Sequence, residues 1–190
     1  IIVIDTIQIT EEQIVNQALQ GDRGAFGELV NRNYDSVIRV VYRLCGDMQL
    51  AQDAAQEAFI RAWVKLPEYQ PRSPFRNWLY RIAVNVALDA LRKCPEESIS
   101  ENEEFIPDTQ RVSNPEAVYL EKEQADMMQT AIRSLPEAAR TVLVLREYSQ
   151  LTYEEIANVL DIPIGTVMSR LNYARNRLRE LLRISWSKGV

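Results

Sequence analysis

The most informative absences in this chain of 190 residues are those of histidine and of a cysteine framework. Without histidine, the side chain best suited to acid–base catalysis near neutral pH is missing, which argues against many enzyme classes. Cys45 and Cys94 are too few for a structural zinc site or a set of disulfides, so we interpret them as a core residue and an incidental surface thiol. We therefore expect no catalytic residues, no metal and no cofactor.

Long apolar runs are also missing. The N-terminal sequence IIVI is apolar for only four residues before Asp5, which is too short for the core of a signal peptide or for a membrane span. We expect a cytoplasmic protein without membrane insertion. A hydrophobic share of 46% is nevertheless high enough for a packed core in one or two domains.

The net charge of −5 argues at first against a nucleic-acid binder, but the charges are unevenly distributed. Residues 67–94 carry five positive and two negative side chains, and residues 163–190 carry six positive and one negative. Between them, residues 95–126 carry two positive and ten negative side chains. Two basic segments around an acidic one are typical of two DNA contacts and a linker, although a single basic helix face is usually only solvated.

Apolar residues recur at helical spacing along most of the chain, which predicts an all-α fold. We expect two small helical domains joined by a flexible acidic linker, with a helix-turn-helix in the C-terminal domain. The predicted domains are 1–94 and 116–190, with the linker over 95–115. The helices predicted before the helix-turn-helix cover residues 10–19, 25–45, 50–66, 74–93, 116–134 and 136–148.

Residues 151–182 predict the helix-turn-helix. Thr152 and Glu155 have the spacing of a capping box at the start of its first helix. Pro163 ends that helix, because proline disfavours helical geometry in the preceding residue. The second helix, placed after Gly165, fits a DNA major groove, since its outer faces carry hydroxyl, amide and arginine side chains: Ser169, Arg170, Asn172, Tyr173, Asn176 and Arg177.

The helix predicted over residues 50–66 has an unusual outer face opposite its alanines. Carboxylate, amide and apolar side chains recur there at helical spacing: Asp53, Gln56, Glu57, Ile60 and Val64. Exposed apolar residues beside polar ones are typical of a docking surface for another protein. An ordinary solvated face is an equally good interpretation of this pattern alone.

The helix predicted over residues 74–93 is basic on its outer face, with Arg81, Asn85 and Arg92 aligned. The loop of residues 67–73 precedes it and contains Tyr69 and Arg72. Aromatic, amide and arginine side chains on one surface suit single-stranded DNA. We interpret Trp78 as a core residue, whereas Tyr69 and Tyr80 fit a core role or a DNA-binding role.

Three segments together resemble the extracytoplasmic-function group of bacterial RNA polymerase sigma factors. They are DAAQEAFIRAWVKL, SPFRNWLYRIAVNVALDALRK and SLPEAARTVLVLREYSQLTYEEIANVLDIPIGTVMSRL, in the family's order and at its separations. The resemblance covers about residues 10–183.

The resemblance implies roles for particular residues. It implies a polymerase-docking face at Asp53, Gln56, Glu57 and Ile60. For recognition of the melted −10 promoter element it implies Tyr69, Arg72, Asn77, Tyr80, Arg81 and Asn85. For recognition of the duplex −35 element it implies Thr166, Met168, Ser169, Arg170, Asn172, Tyr173 and Arg177. Many relatives carry a basic residue where this chain has Tyr173, and some also where it has Met168, so the preferred −35 sequence is not implied.

The function implied is promoter recognition and melting by a dissociable subunit of core RNA polymerase, with an anti-sigma factor as a further partner. Two other functions remain open at this point. A stand-alone operator-binding regulator would use the same helix-turn-helix, usually as a dimer on a palindrome. A helical adaptor would bind only protein, and its basic faces would be incidental.

Overall fold

A computed structural model describes residues 10–93 and 115–188, with side chains described over 10–93 and 122–183. Within these ranges the chain forms eight α-helices and no strand, as the helical periodicity predicts. The helices are α1 Glu11–Leu19, α2 Arg23–Cys45, α3 Met48–Lys65, α4 Phe75–Lys93, α5 Pro115–Arg133, α6 Glu137–Ser149, α7 Tyr153–Leu160 and α8 Ile164–Lys188. A 3-10 turn, Leu66–Glu68, follows α3. The predicted linker lies outside the described residues except for Pro115.

Capping side chains set where the N-terminal helices begin. The carboxylate of Asp22 accepts a hydrogen bond from the Gly24 backbone N–H at 2.8 Å, and that of Asp47 accepts one from Leu50 at 2.7 Å. Each cap satisfies a backbone donor that has no partner within the helix. Therefore α2 and α3 each begin two residues before their predicted starts.

Two predicted helix starts in the second half are corrected. The sequence predicts Pro136 at the first helical position, but it is the N-cap with extended backbone, and α6 begins at Glu137. The last helix is predicted after Gly165, but it begins at Ile164. Asp161 makes this possible, since its left-handed backbone, with φ of 55°, reverses the chain before Pro163. Aspartate tolerates that conformation better than most residues do.

Small side chains in α3 allow its neighbours to approach closely. Helices α2 and α4 both pack against α3. The residues that face them are buried alanines: Ala51, Ala54, Ala55, Ala58 and Ala62. Cys45 is buried, as predicted, at the end of α2, while Cys94 lies outside the described residues. None of the described helices is long and apolar enough to cross a membrane.

The described helices form two groups that pack against each other. The N-terminal group is α1–α4 and the C-terminal group is α5–α8. Helix α2 contacts α5 and α6, and α4 contacts α7. The buried apolar side chains of both groups form one continuous cluster. The predicted nucleic-acid surfaces in α4 and in the helix-turn-helix are therefore neighbours in this structure.

Candidate nucleic-acid and docking interfaces

Helix α8 presents a mixed polar and apolar surface to solvent. Val167, Leu171 and Ala174 anchor it, because all three are buried. Between these anchors, Met168 and Tyr173 are 53% and 50% exposed. Ser169, Asn172 and Arg177 are also exposed, while Thr166 and Arg170 are half-buried. The predicted −35 contacts thus share one helix, and most of them face solvent.

Hydrogen bonds hold several of these polar side chains in place. The Ser169 hydroxyl donates to the Thr166 carbonyl at 3.0 Å, and the Asn176 amide donates to Asn172 Oδ1 at 3.3 Å. Arg177 pairs with Glu180 at 3.1 Å, and both side chains are exposed. Exposed contacts of this kind are weak, so these groups can exchange them for base edges and phosphates.

The N-terminal end of helix α7, which packs against α8, is capped and buried. The Thr152 hydroxyl accepts from the Glu155 backbone N–H at 3.2 Å, and the Glu155 carboxylate accepts from the Thr152 N–H at 2.8 Å. This is the capping box that the spacing predicts. Leu151 and Ile156 are fully buried beside it. The first helix of the helix-turn-helix is therefore fixed at its beginning by both polar and apolar contacts.

The loop before α4 is held by aromatic packing. The Tyr69 hydroxyl donates to the Ser73 carbonyl at 2.7 Å, which closes the loop on itself. The Tyr69 ring lies 5.7 Å from the Phe75 ring and 5.2 Å from the Trp78 ring. Burial raises the pKa of the Tyr69 hydroxyl. Tyr69 is therefore buried in this structure, while Arg72 remains exposed.

The predicted −10 residues of α4 divide into exposed and buried ones. Arg81 and Asn85 lie exposed one turn apart. Tyr80 and Asn77 are only 1% and 3% exposed. Tyr80 therefore occupies a core position and does not join the outer basic face. Asn77 is covered by the C-terminal group, because its side-chain amide donates to Glu155 Oε1 at 2.9 Å.

The predicted docking face on α3 is exposed and continues into an apolar groove. Ile60 and Val64 are 54% and 70% exposed, and Asp53 and Gln56 are exposed as well. The Glu57 carboxylate lies 2.7 Å from the Arg61 guanidinium. A groove of about 780 Å³ runs between α3 and α2, lined on the α2 side by Phe26, Val30 and Tyr34.

Sequence reasoning missed the α2 side of this groove. The helical spacing of Phe26, Val30 and Tyr34 in α2 predicts a buried core face. In the structure these three side chains lie at the edge of the buried face, and Tyr34 is exposed. Their four-residue spacing beside the exposed Ile60 of α3 is the signal that could have identified the groove.

Glu155 is an acidic group at these surfaces whose pKa is lowered by its hydrogen bonds. The hydrogen bond from Asn77 lowers the pKa of its carboxyl, and the bond from the Thr152 backbone N–H lowers it further. Arg76 of α4 adds a favourable charge interaction. One carboxylate thus serves the α7 cap and the contact with α4 together.

Each half of the chain matches the model of a known protein family. The family model described as Sigma-70 region 2 matches residues 29–94, which include the docking face and α4. The family model described as Sigma-70, region 4, matches residues 125–178, which include α6, α7 and the first turns of α8. These two regions in this order define the class of sigma-70-type factors.

Curated relatives identify the family within this class. The RNA polymerase sigma-H factor of Pseudomonas aeruginosa is 37% identical over 183 residues, covering 92% of this chain and 95% of that protein. The ECF RNA polymerase sigma-E factor of Escherichia coli is 38% identical over 190 residues, covering 93% and 98%. The ECF RNA polymerase sigma factor SigW of Bacillus subtilis is 35% identical, covering 89% and 95%. The chain belongs to the extracytoplasmic-function (ECF) family of RNA polymerase sigma factors.

Solved structures share this fold. The structure of CnrH in complex with the cytosolic domain of CnrY matches with a TM-score of 0.70 and 26% identity, covering 92% of this chain and 97% of that chain. The sigma factor RpoE in complex with the anti-sigma factor NepR from Bartonella quintana shares the fold, with a TM-score of 0.66, 24% identity and coverage of 84% and 97%. Both likenesses extend over most of the chain.

Proposed function

We propose that this chain is a dissociable promoter-recognition subunit, which binds core RNA polymerase, directs it to specific promoters and assists their melting. The observation that carries the proposal is the match to both sigma-70 regions, with the exposed α3 face in the first and α8 in the second. In this proposal the protein acts in the cytoplasm without a cofactor. It is not an enzyme, because the polymerase core supplies the catalysis.

The α3 face is the proposed contact with the polymerase. Asp53, Gln56 and Glu57 supply hydrogen-bonding groups, and Ile60 supplies an exposed apolar anchor beside them. Apolar anchors ringed by polar groups are the usual composition of an interface centre. The adjoining groove of α2 extends this surface, so that Tyr34 joins the proposed contact.

The loop of residues 67–73 and helix α4 form the proposed binding surface for the melted −10 element. Arg72, Arg81 and Asn85 are exposed and suit a single strand, whose phosphates need positive charge and whose bases need polar partners. Asn77 supplies a further amide once it is uncovered. Tyr69 and Tyr80 also belong to the proposed −10 surface, and in this structure they support it from buried positions.

Helix α8 is the proposed recognition helix for the duplex −35 element. Its exposed amides and hydroxyls suit base edges in the major groove, and its arginines suit phosphates. Met168 and Tyr173 offer apolar surface to thymine methyl groups or sugars. The proposed contacts are Thr166, Met168, Ser169, Arg170, Asn172, Tyr173 and Arg177.

An anti-sigma factor is the further proposed partner. The sigma factor RpoE from Bartonella quintana, which shares this fold, is bound to the anti-sigma factor NepR in its solved structure. In the present chain, the exposed apolar groove between α2 and α3 offers a surface of the kind that protein partners cover.

Promoter run-off transcription with core polymerase tests the proposed function. We expect the purified chain to bind core enzyme and to support initiation at promoters selected from genomic DNA. Specific binding to a palindromic operator as a dimer, with no dependence on core enzyme, would replace the proposal with a stand-alone regulator. Binding to core enzyme without any DNA recognition would replace it with an adaptor.

A further inference from the structure

The side of α8 that faces away from the protein core carries hydroxyl, amide and apolar side chains. The buried anchors Val167, Leu171 and Ala174 define the opposite, inward side. At about 100° per residue, six side chains of the N-terminal half of α8 lie on the outward side. These outward residues are Thr166, Met168, Ser169, Asn172, Tyr173 and Asn176. None of the six is an acidic or basic residue that carries a charge at neutral pH.

The arginines in the same half of α8 lie at the sides of the helix. Arg170 and Arg175 each lie about 70° from the centre of the buried anchors, in opposite directions. The Arg175 guanidinium also lies 2.8 Å from the Glu147 carboxylate of α6, which holds it beside the helix. When a helix lies in a major groove, its sides run along the two phosphate backbones. These arginines therefore suit phosphates, and the outward residues are left for base edges.

The outward residues lack the side chain that is most often used for guanine. The commonest specific contact to guanine is a bidentate one from arginine or lysine to its O6 and N7 atoms. Asparagine pairs instead with the N6 and N7 atoms of adenine, and apolar side chains contact the methyl group of thymine. Because asparagine and apolar residues both lie on the outward side of α8, its composition matches A·T base pairs.

Hydrogen bonds along α8 orient the amide of Asn172 for a contact with adenine. Arg179 donates to Asn176 Oδ1 at 3.0 Å, and the Asn176 amide donates to Asn172 Oδ1 at 3.3 Å. An amide oxygen has two lone pairs, so Asn172 Oδ1 can accept a second hydrogen bond. Its own amide hydrogens can donate at the same time. Asn172 thus offers the donor and the acceptor that adenine N7 and N6 require.

Exposed apolar side chains are concentrated on α8. Among the described residues seven large apolar side chains are exposed, and three of them belong to this one helix. Two of the three are outward residues, Met168 at 53% and Tyr173 at 50% exposure. Around the helix, Met168 lies about 40° from Asn172 on one side and Tyr173 about 100° on the other. Thymine methyl groups beside a recognised adenine would cover this apolar surface, which is favourable in water.

We infer that α8 recognises A·T base pairs in the −35 element and does not require a guanine there. Asn172 binds an adenine, and Met168 and Tyr173 pack against thymine methyl groups. The inference rests on the proposed function, because it names the class of DNA sequence that the proposed recognition helix binds. DNA fits these apolar residues better than a protein partner does, since amides lie between them and arginines lie on both sides of the helix.

Selection from randomised DNA tests the base preference. The full chain is assembled with core polymerase, and the −35 segment of a promoter found by run-off transcription is randomised. We expect the bound sequences to be rich in A·T pairs, with adenine at one fixed position. Asn172→Ala should reduce the preference for that adenine by about ten-fold. A guanine required at a fixed position, or no preference at any position, would overturn the inference.

Removal of single methyl groups tests the apolar contacts. Deoxyuridine in place of thymidine removes one methyl group from the selected duplex and keeps the base pairing. We expect the affinity of the holoenzyme to fall by about three- to five-fold at each of two thymines. Met168→Ala should abolish this effect at one thymine and Tyr173→Ala at the other, whereas Tyr173→Phe should retain it. A change in stability alone would not alter the ratio between the two duplexes.

Ile164→Ala is the matched control. Ile164 is 40% exposed on the same helix but lies on the inward side, about 20° from the buried Leu171. This variant should keep both methyl effects. Equal affinity of the parent holoenzyme for thymidine and deoxyuridine duplexes would overturn the apolar contacts and point to a protein partner for Met168 and Tyr173. Failure of run-off transcription at every promoter would instead refute the proposed function, so the two failures are distinguishable.

Discussion

The side-chain amide of Asn77 lies 2.9 Å from the Glu155 carboxylate, 78 residues farther along the chain. This bond joins the proposed −10 surface to the first helix of the helix-turn-helix. It also explains why the pKa of Glu155 is lowered, because the hydrogen bond favours the ionised carboxylate. The bond makes the packing of the two groups sensitive to the charge on Glu155.

Acidification should weaken the packing of the C-terminal group (α5–α8) against the N-terminal group (α1–α4). The hydrogen bond from Asn77, a contact between the two groups, is the main cause of the lowered pKa of Glu155, so the contribution of this bond is present above the ordinary glutamate pKa of about 4.3 and is lost as the pH falls through the lowered pKa. We expect spin labels at the exposed positions Asp35→Cys of α2 and Asn158→Cys of α7, in a Cys94→Ser background, to move apart in that acidic range. Glu155→Gln should reduce this pH dependence while keeping the α7 cap, since glutamine also serves in capping boxes. An unchanged pH profile in Glu155→Gln would assign the effect to another group.

Arg170→Ala should weaken binding to duplex promoter DNA. Arg170 lies on α8 between the exposed Ser169 and the buried Leu171, and its loss removes a positive charge from the proposed groove surface. We expect a loss of about five-fold or more, equivalent to about 1 kcal/mol, in a binding assay with the polymerase holoenzyme. Arg183→Ala, farther along the same helix, is the matched control. Equal effects of the two variants would point to non-specific charge and remove Arg170 from the proposed contacts.

Gln56→Ala with Glu57→Ala should weaken binding to core polymerase. Both side chains lie on the outer face of α3, and their truncation leaves the buried alanine face untouched. Loss of the Glu57–Arg61 pair should change the free energy of unfolding by less than about 1 kcal/mol, because the pair is exposed. Core binding can be measured by fluorescence anisotropy, with Glu28→Ala on α2 as the control. Core affinity equal to that of Glu28→Ala would show that the docking face lies elsewhere.

Thr152→Ala should destabilise the helix-turn-helix. The Thr152 hydroxyl caps α7, and loss of such a cap costs about 1 kcal/mol. Urea unfolding followed by circular dichroism measures the change. Thr130→Ala, at an exposed position of α5, should have a smaller effect. A change for Thr152→Ala no larger than for Thr130→Ala would mean that the capping box contributes little to stability.

Local patterns predicted the helices well because caps and periodicity are properties of each segment alone. The Thr152–Glu155 capping box and the buried alanines of α3 are both present as predicted. For α4, periodicity alone does not show every residue that is buried. Helix α4 packs against α2 and α3 and also against α7, so Asn77 and Tyr80 are buried as well. Contacts between groups far apart in sequence leave no periodic signal.

Footprinting of promoter DNA with and without core polymerase tests promoter recognition by this chain most directly. With core enzyme, we expect two protected segments about 25 base pairs apart, together with unpaired bases at the downstream segment. The free protein alone should give neither. Protection of a single site by the free protein, unchanged when core enzyme is added, would contradict the proposed function.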